Sequence, residues 1–147
     1  MEGYQHPIIR LAHVSDASKL KDLNDIFNDL DDTTLEELET SLRENKDEII
    51  VCADIGTAIV GVCCIQIVRT MCFNWQYCFI TELFVQKEYR NRGIGAALMK
   101  LAETESKKRG IKKAFLWTGE SNKTARKLYK SLGFIEMTDT VMCMREY

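Results

Sequence analysis

The sequence predicts an α/β (α+β) domain: a mixed, mostly antiparallel sheet of six to seven strands flanked by helices. Three observations predict it. The chain has 147 residues, enough for one domain with a substantial core and too few for two. Short apolar runs alternate with stretches whose apolar residues recur every three or four positions. Hydrophobic residues make up 46% and charged residues 29%, a globular balance that excludes a chain disordered throughout.

Each element follows in order. Ile8 to Leu11 is a short first strand. Ser15 or Asp16 caps a helix with Leu20, Leu23, Phe27 and Leu30 at helical spacing, and Asp31-Asp32 breaks it. Thr33 and Glu36 form a capping box for a second helix carrying Leu35, Leu38 and Leu42. Ile49 to Ala53 and Ala58 to Val68 are strands joined at Asp54-Ile55-Gly56-Thr57. A loop from Thr70 to Gln76 leads to a fourth strand, Tyr77 to Val85. Gly93 opens a helix with Ile94, Ala97, Leu98, Leu101 and Ala102 on one face, and Gly110 closes it. Ala114 to Thr118 is a fifth strand. Ser121 or Asn122 caps a helix bearing Ala125, Leu128, Tyr129 and Leu132, stopped at Gly133. Phe134 to Met137 and Val141 to Met144 are expected to close the sheet as two further strands.

Composition narrows the function classes. The longest apolar run, Ala58 to Ile65, is far short of the roughly 20 residues that cross a bilayer. The first seven residues show neither a basic nor an apolar signal region, and this predicts a cytoplasmic protein. The six cysteines form no C-x-x-C pair, and His6 and His13 stand far from any of them. No metal site is expected, and free thiols in a reducing compartment are. The net charge of −2 is split: residues 1–50 carry −8 and residues 51–147 carry +6. The split fits an anionic ligand on the C-terminal part and a cation near the N-terminal part, or a solvated surface.

The informative segment is Tyr89-Arg90-Asn91-Arg92-Gly93-Ile94-Gly95-Ala96-Ala97. It is basic, then glycine-bearing, then helical, and it follows a strand. The first amides of a helix have no internal acceptors, and glycine lets a ligand approach the backbone. Such a junction binds phosphate, with Arg90 and Arg92 adding charge. It is not a Walker A loop, since Ala96 follows Gly95, and the dinucleotide fingerprint fails at Leu98.

Arg90-x-x-Gly93-x-Gly95 resembles the Q/R-x-x-G-x-G/A signature of the GNAT superfamily of N-acetyltransferases. Asn122-x-x-Ala125-x-x-x-Tyr129 followed by Gly133-Phe134 is similar to the family's final motif, and Ile80 to Val85 resembles its fourth strand. The resemblance runs over nearly the whole chain and implies one N-acetyltransferase domain, residues 1–147, with a GNAT-like acyl-CoA N-acyltransferase fold. It implies acetyl-CoA as acyl donor, with Arg90, Asn91, Arg92, Gly93, Ile94, Gly95 and Ala96 holding the pyrophosphate. Leu83, Phe84 and Val85 would offer main-chain groups to the pantetheine arm, between strands four and five, which the family splays apart beside a bulge. Asn122 would contact the cofactor, and Tyr129 would protonate the departing thiolate or simply pack.

Glu82 is the single charged residue from Phe73 to Val85. It is expected to bind the acceptor ammonium or take its proton through water. Direct transfer from an alkylamine to a glutamate crosses roughly six pKa units, about 8 kcal/mol uphill. No cysteine is paired with a histidine, so direct attack is expected rather than an acyl-cysteine. Asp31 and Asp32, among the acidic residues of the first two helices, would face the acceptor in the resemblance, which favours a small cationic amine. The alternatives are a protein or peptide amine acceptor and a non-catalytic acyl-CoA-binding domain. No nucleic acid or membrane partner is expected. Met71, Phe73 and Trp75 read as buried fillers, or as a loop that approaches the acceptor or a partner in a homodimer.

Overall fold

The computed structural model describes residues 5–28 and 32–147. Leu30 and Asp31 therefore lie outside the described residues. The chain falls into two compact units, residues 1–117 and 118–147.

The first unit is built on a five-stranded sheet in the order β1-β2-β3-β4-β5. The strands are β1 Ile8–Leu11, β2 Glu48–Asp54, β3 Ile59–Val68, β4 Tyr77–Val85 and β5 Lys113–Leu116. The first four pair antiparallel, and β4 pairs parallel with β5. Helices α1 Ala17–Phe27 and α2 Leu35–Glu44 precede β2, and α3 Ile94–Lys108 joins β4 to β5. One face of the sheet packs Leu20 and Leu23 of α1 against Cys52 and Ile59, with Leu38, Leu42, Val62 and Phe84 around them. The alternate residues face α3, where Cys63 Sγ lies 3.7 Å from Met99 Sδ.

Helix ends are fixed by specific caps. Thr34 caps α2, and its box partner is Glu37. The expected pair was Thr33 and Glu36. Thr-Thr-Leu-Glu-Glu contains two overlapping boxes, and the helix starting at Leu35 selects the second. Asp16 stands at the N-cap of α1 without a side-chain cap bond. Its carboxylate instead takes a two-pronged contact from Arg10, 2.7 Å to each oxygen. Arg10 also reaches Asp54 at 2.7 Å, so one guanidinium ties β1, β2 and the start of α1 together.

Gly61 has a packing role. A Cβ there would lie 3.1 Å from Phe84 O and 3.2 Å from Leu98 Cδ1. The close approach of β3, β4 and α3 therefore requires glycine.

The second unit contains α4 Lys123–Ser131. Asn122 Oδ1 accepts from Ala125 N at 3.1 Å and caps it. Gly133 N donates to Lys130 O and Phe134 N to Tyr129 O, a Schellman closure. The two closing strands expected at Phe134 to Met137 and Val141 to Met144 are not formed, and the sheet has five strands instead of six or seven. The Arg126 fork holds Glu136 back against α4 at 2.7 and 2.8 Å. A two-stranded ribbon is marginal by itself.

The loop residues Met71 and Phe73 are 100% and 54% exposed, so they are not core fillers. Cys52, Cys63 and Cys78 are buried free thiols, whereas Cys72 and Cys143 are exposed.

Candidate active site

The site begins with a register shift in β4. Cys64 pairs with Glu82, but Ile65 pairs with Ile80, so Thr81 is an extra residue. Cys78 and Ile80 face α3 and are buried. Strict alternation would send Glu82 to that apolar side too. The bulge advances the phase by one, and Glu82 turns to the face covered by α1 and α2.

There Glu82 lines a cavity of about 330 Å³. Leu20, Leu23 and Phe27 of α1 and Leu38 and Leu42 of α2 wall it. Ile50, Val62 and Cys64 form its strand side. Phe27 stacks on Phe84 with ring centroids 4.8 Å apart and closes one flank. The carboxylates that line the cavity are Glu37, Glu48 and Glu82. Asp32 is exposed and is not among the lining residues, and Asp31 lies outside the described residues.

Glu48, which lines the cavity, was not among the residues expected there. The expected strand begins at Ile49, but Glu48 is the first residue of β2, opposite Gln66. Period-two alternation with Ile50 and Cys52 was the available signal. Its Oε2 accepts from Asn45 Nδ2 at 3.1 Å and Ser41 Oγ at 3.4 Å. Burial, and then the nearby Glu82 charge, hold the Glu48 carboxyl above the ordinary glutamate range.

The edge of β4 opens where Glu82 stands. Pairing with β5 ends at Ile80 opposite Leu116, while β4 runs on to Val85. Gln86 N donates to Val60 O, so even-numbered residues here turn their main-chain groups toward β3. Leu83 and Val85 therefore turn theirs to the edge that β5 leaves uncovered. Val85 O accepts from Arg90 Nε at 2.7 Å, and the same guanidinium lies over the Phe84 ring at 5.6 Å.

The chain then makes a tight turn into α3. Asn91 has φ 59° and Gly93 φ 77°, both left-handed. Gly93 is the N-cap of α3, and a Cβ there would meet no atom within 4 Å. The space above the turn is open, and the amides of Ile94, Gly95 and Ala96 have no acceptor in the preceding helical turn. Arg92 is exposed beside them. A left-handed turn feeding a 15-residue helix concentrates donors and roughly half a positive charge at one point. These groups fit a pyrophosphate.

Thiol chemistry is disfavoured at Cys52, Cys63 and Cys64. Burial pushes the Cys52 thiol to about 11 and Cys63 to about 12, and raises Cys64 as well. Asn122 and Tyr129 belong to the second unit, where Tyr129 meets the Phe134 ring edge-on at 5.9 Å.

The fold is that of solved acetyltransferases. An aminoglycoside acetyltransferase from an uncultured soil metagenomic sample, in complex with sisomicin, matches with TM-score 0.81 at 16% identity, covering 95% of each chain. A ribosomal-protein-alanine N-acetyltransferase from Brucella melitensis matches with TM-score 0.77 at 18% identity, covering 95% of this chain and 99% of the other. In sequence, the profile of the Acetyltransferase (GNAT) family matches residues 17–134, and the chain belongs to that family. An uncharacterized N-acetyltransferase of Methanocaldococcus jannaschii is 36% identical over 102 residues, 65% of this chain and 42% of that protein. One from Archaeoglobus fulgidus is 37% identical over 97 residues, 61% of each. The chain thus spans less than two thirds of these curated relatives.

Proposed function

We propose that this chain, acting as one N-acetyltransferase domain, transfers the acetyl group of acetyl-CoA to a small cationic amine by direct attack. The observation that carries the reading is the bulge at Thr81. It sets Glu82 in an apolar-walled cavity at the point where β4 loses its β5 partner. One strand thus offers a carboxylate on its face and main-chain groups at its edge.

Acetyl-CoA, when bound, supplies a thioester carbonyl for attack and a thiolate as leaving group. Gly93, the following helix amides, Arg92 and the remaining guanidinium nitrogens of Arg90 would hold the pyrophosphate. Leu83 and Val85 would align the pantetheine amides by strand-like hydrogen bonds. Glu82 would bind and orient the acceptor ammonium, or take its proton through a bridging water, so that the nitrogen lone pair is free to attack. The amine nitrogen then bonds to the acyl carbon, the carbon–sulfur bond breaks, and sulfur takes a proton. The family resemblance gives that proton to Tyr129 and gives Asn122 a cofactor contact.

The test is thiol release from acetyl-CoA with spermidine, an aminoglycoside, an arylamine, a peptide amine and glutamate as acceptors. Mass spectrometry of the products identifies the acetylated nitrogen. Release with the cationic small amines, lowered at least about a hundredfold in Glu82→Gln, is expected. Release with no amine, or an unaffected Glu82→Gln, contradicts the reading.

A further inference from the structure

Glu48 has no part in the transfer just described, yet it shares the cavity with Glu82. Its placement is built. The C-terminal end of α2 supplies Ser41, the residue after α2 supplies Asn45, and both bind Oε2. Oε1 makes no hydrogen bond among the described residues. A half-buried carboxylate with one oxygen anchored and one unused is poised to accept from a ligand.

The spacing and the walls indicate which ligand. Glu82 lies opposite Cys64, which lies opposite Ile50, two residues along β2 from Glu48. Two strand spacings of about 4.8 Å and two residues of about 3.4 Å put the Cα atoms about 12 Å apart. Side chains stand roughly perpendicular to a sheet, so two glutamates on one face hold their carboxylates about as far apart as their Cα atoms, and charge-assisted contacts of about 2.8 Å at each end then leave about 6 Å between two bound nitrogens, the reach of about four or five methylene groups. Ile50 and Cys64 lie between the carboxylates, and Leu23 and Leu38 stand above. That stretch of the lining suits methylenes, and the other polar residues of the cavity are Asn24, Asn28, Thr33 and Glu37.

The two carboxylates also repel each other. Burial and the Glu82 charge already raise the Glu48 carboxyl. A ligand with one positive charge at each end relieves both, whereas a monoamine relieves one.

We propose that Glu48 is a specificity-determining residue that receives a second ammonium of the acceptor, so that the preferred substrate is a short aliphatic diamine. The assignment of the reacting end to Glu82 rests on the N-acetyltransferase reading above.

The experiment compares cadaverine, pentylamine and ethylenediamine as acceptors for wild type, Glu48→Gln and Glu48→Asp. Gln keeps an oxygen for Ser41 and Asn45 while removing the charge. In wild type, kcat/KM for cadaverine should exceed that for pentylamine at least tenfold, chiefly through KM. It should exceed ethylenediamine, too short to bridge and only partly doubly charged at neutral pH because its adjacent ammonium groups repel, by a similar factor. In Glu48→Gln the cadaverine-to-pentylamine ratio should collapse toward one, and Glu48→Asp should restore part of it. A wild-type ratio near one, or a ratio that survives in Glu48→Gln, overturns the proposal. If no amine yields thiol, the transferase reading fails, and calorimetric binding of the same amines then decides. A cadaverine preference lost in Glu48→Gln sustains the two-carboxylate site, and no preference removes it. Should Glu48→Gln fail to fold, the wild-type comparison of cadaverine with ethylenediamine decides: a clear preference sustains the site, and equal use of the two removes it.

Discussion

Asn91 and Gly93 hold left-handed backbone on either side of Arg92, and this pair of residues gives the turn before α3 its shape. Asparagine tolerates that conformation and glycine suits it without steric cost. A few angstroms away along the chain, Arg90 bonds Val85 O and so braces the turn against β4. Its cationic charge stays beside the turn while Nε is occupied. Tyr129 is the residue whose role is most open to a single-atom test. Tyr129→Phe keeps the ring that meets Phe134 and removes the hydroxyl. Turnover should fall about tenfold to a thousandfold while the melting temperature moves by no more than about 3 °C. Steady-state thiol release and a thermal melt check both; unchanged turnover makes Tyr129 a packing residue. At this scale the glycine turn and Glu82 were legible because each breaks the local pattern. Glu48 was not, because its neighbours Lys46 and Asp47 are also charged and its strand face shows only through pairing.

At the scale of elements, the long apolar strands declared themselves. Ile8–Leu11 and Tyr77–Val85 follow the sequence boundaries, and Gly110 and Gly133 end their helices. The bulge at Thr81 was expected through the resemblance and stands in β4, but no residue pattern in Ile80-Thr81-Glu82 announces it. The closing strands fail for a long-range reason: Ile135 and Val141 favour strand locally, while the Arg126–Glu136 contact and missing ladder partners decide. The element junction most exposed to acid is Arg10 with Asp16 and Asp54. Hydrogen bonds from Arg10 hold both carboxyls below their ordinary range. Their folded values are depressed, so their stabilisation is present above the unfolded value near 4 and is lost as pH falls through the folded values. Asp16→Asn should cost about 2–3 kcal/mol at pH about 7, with the two proteins converging as pH falls through the depressed Asp16 value. Urea melts at neutral pH and stepwise into acid measure it; a deficit that stays equal throughout would show that the carboxylate charge is not what matters.

Across the whole molecule, charge is divided between two jobs. The net −8 of residues 1–50 includes Glu37 and Glu48 in the cavity, while the net +6 of residues 51–147 includes Arg90 and Arg92 at the turn. An amine and a polyphosphate would each meet the sign that attracts it. Among the described residues no helix is long and apolar enough to cross a membrane. Fold class and family were legible because three separate motifs sit at their proper places among the elements. The acceptor was not, since the cavity forms only when α1, α2, β2, β3 and β4 come together. The Gly93 turn and the open edge of β4 are proposed to hold acetyl-CoA. Calorimetry of acetyl-CoA with wild type and Gly93→Val, at low and moderate salt, tests this most directly. A β-branched residue at φ 77° is strained and fills the space above the helix amides. Wild type should bind in the low micromolar range or tighter, more weakly as salt rises. Gly93→Val should lose at least tenfold in affinity while a thermal melt shows it folded. Equal affinity in the two proteins would contradict the account.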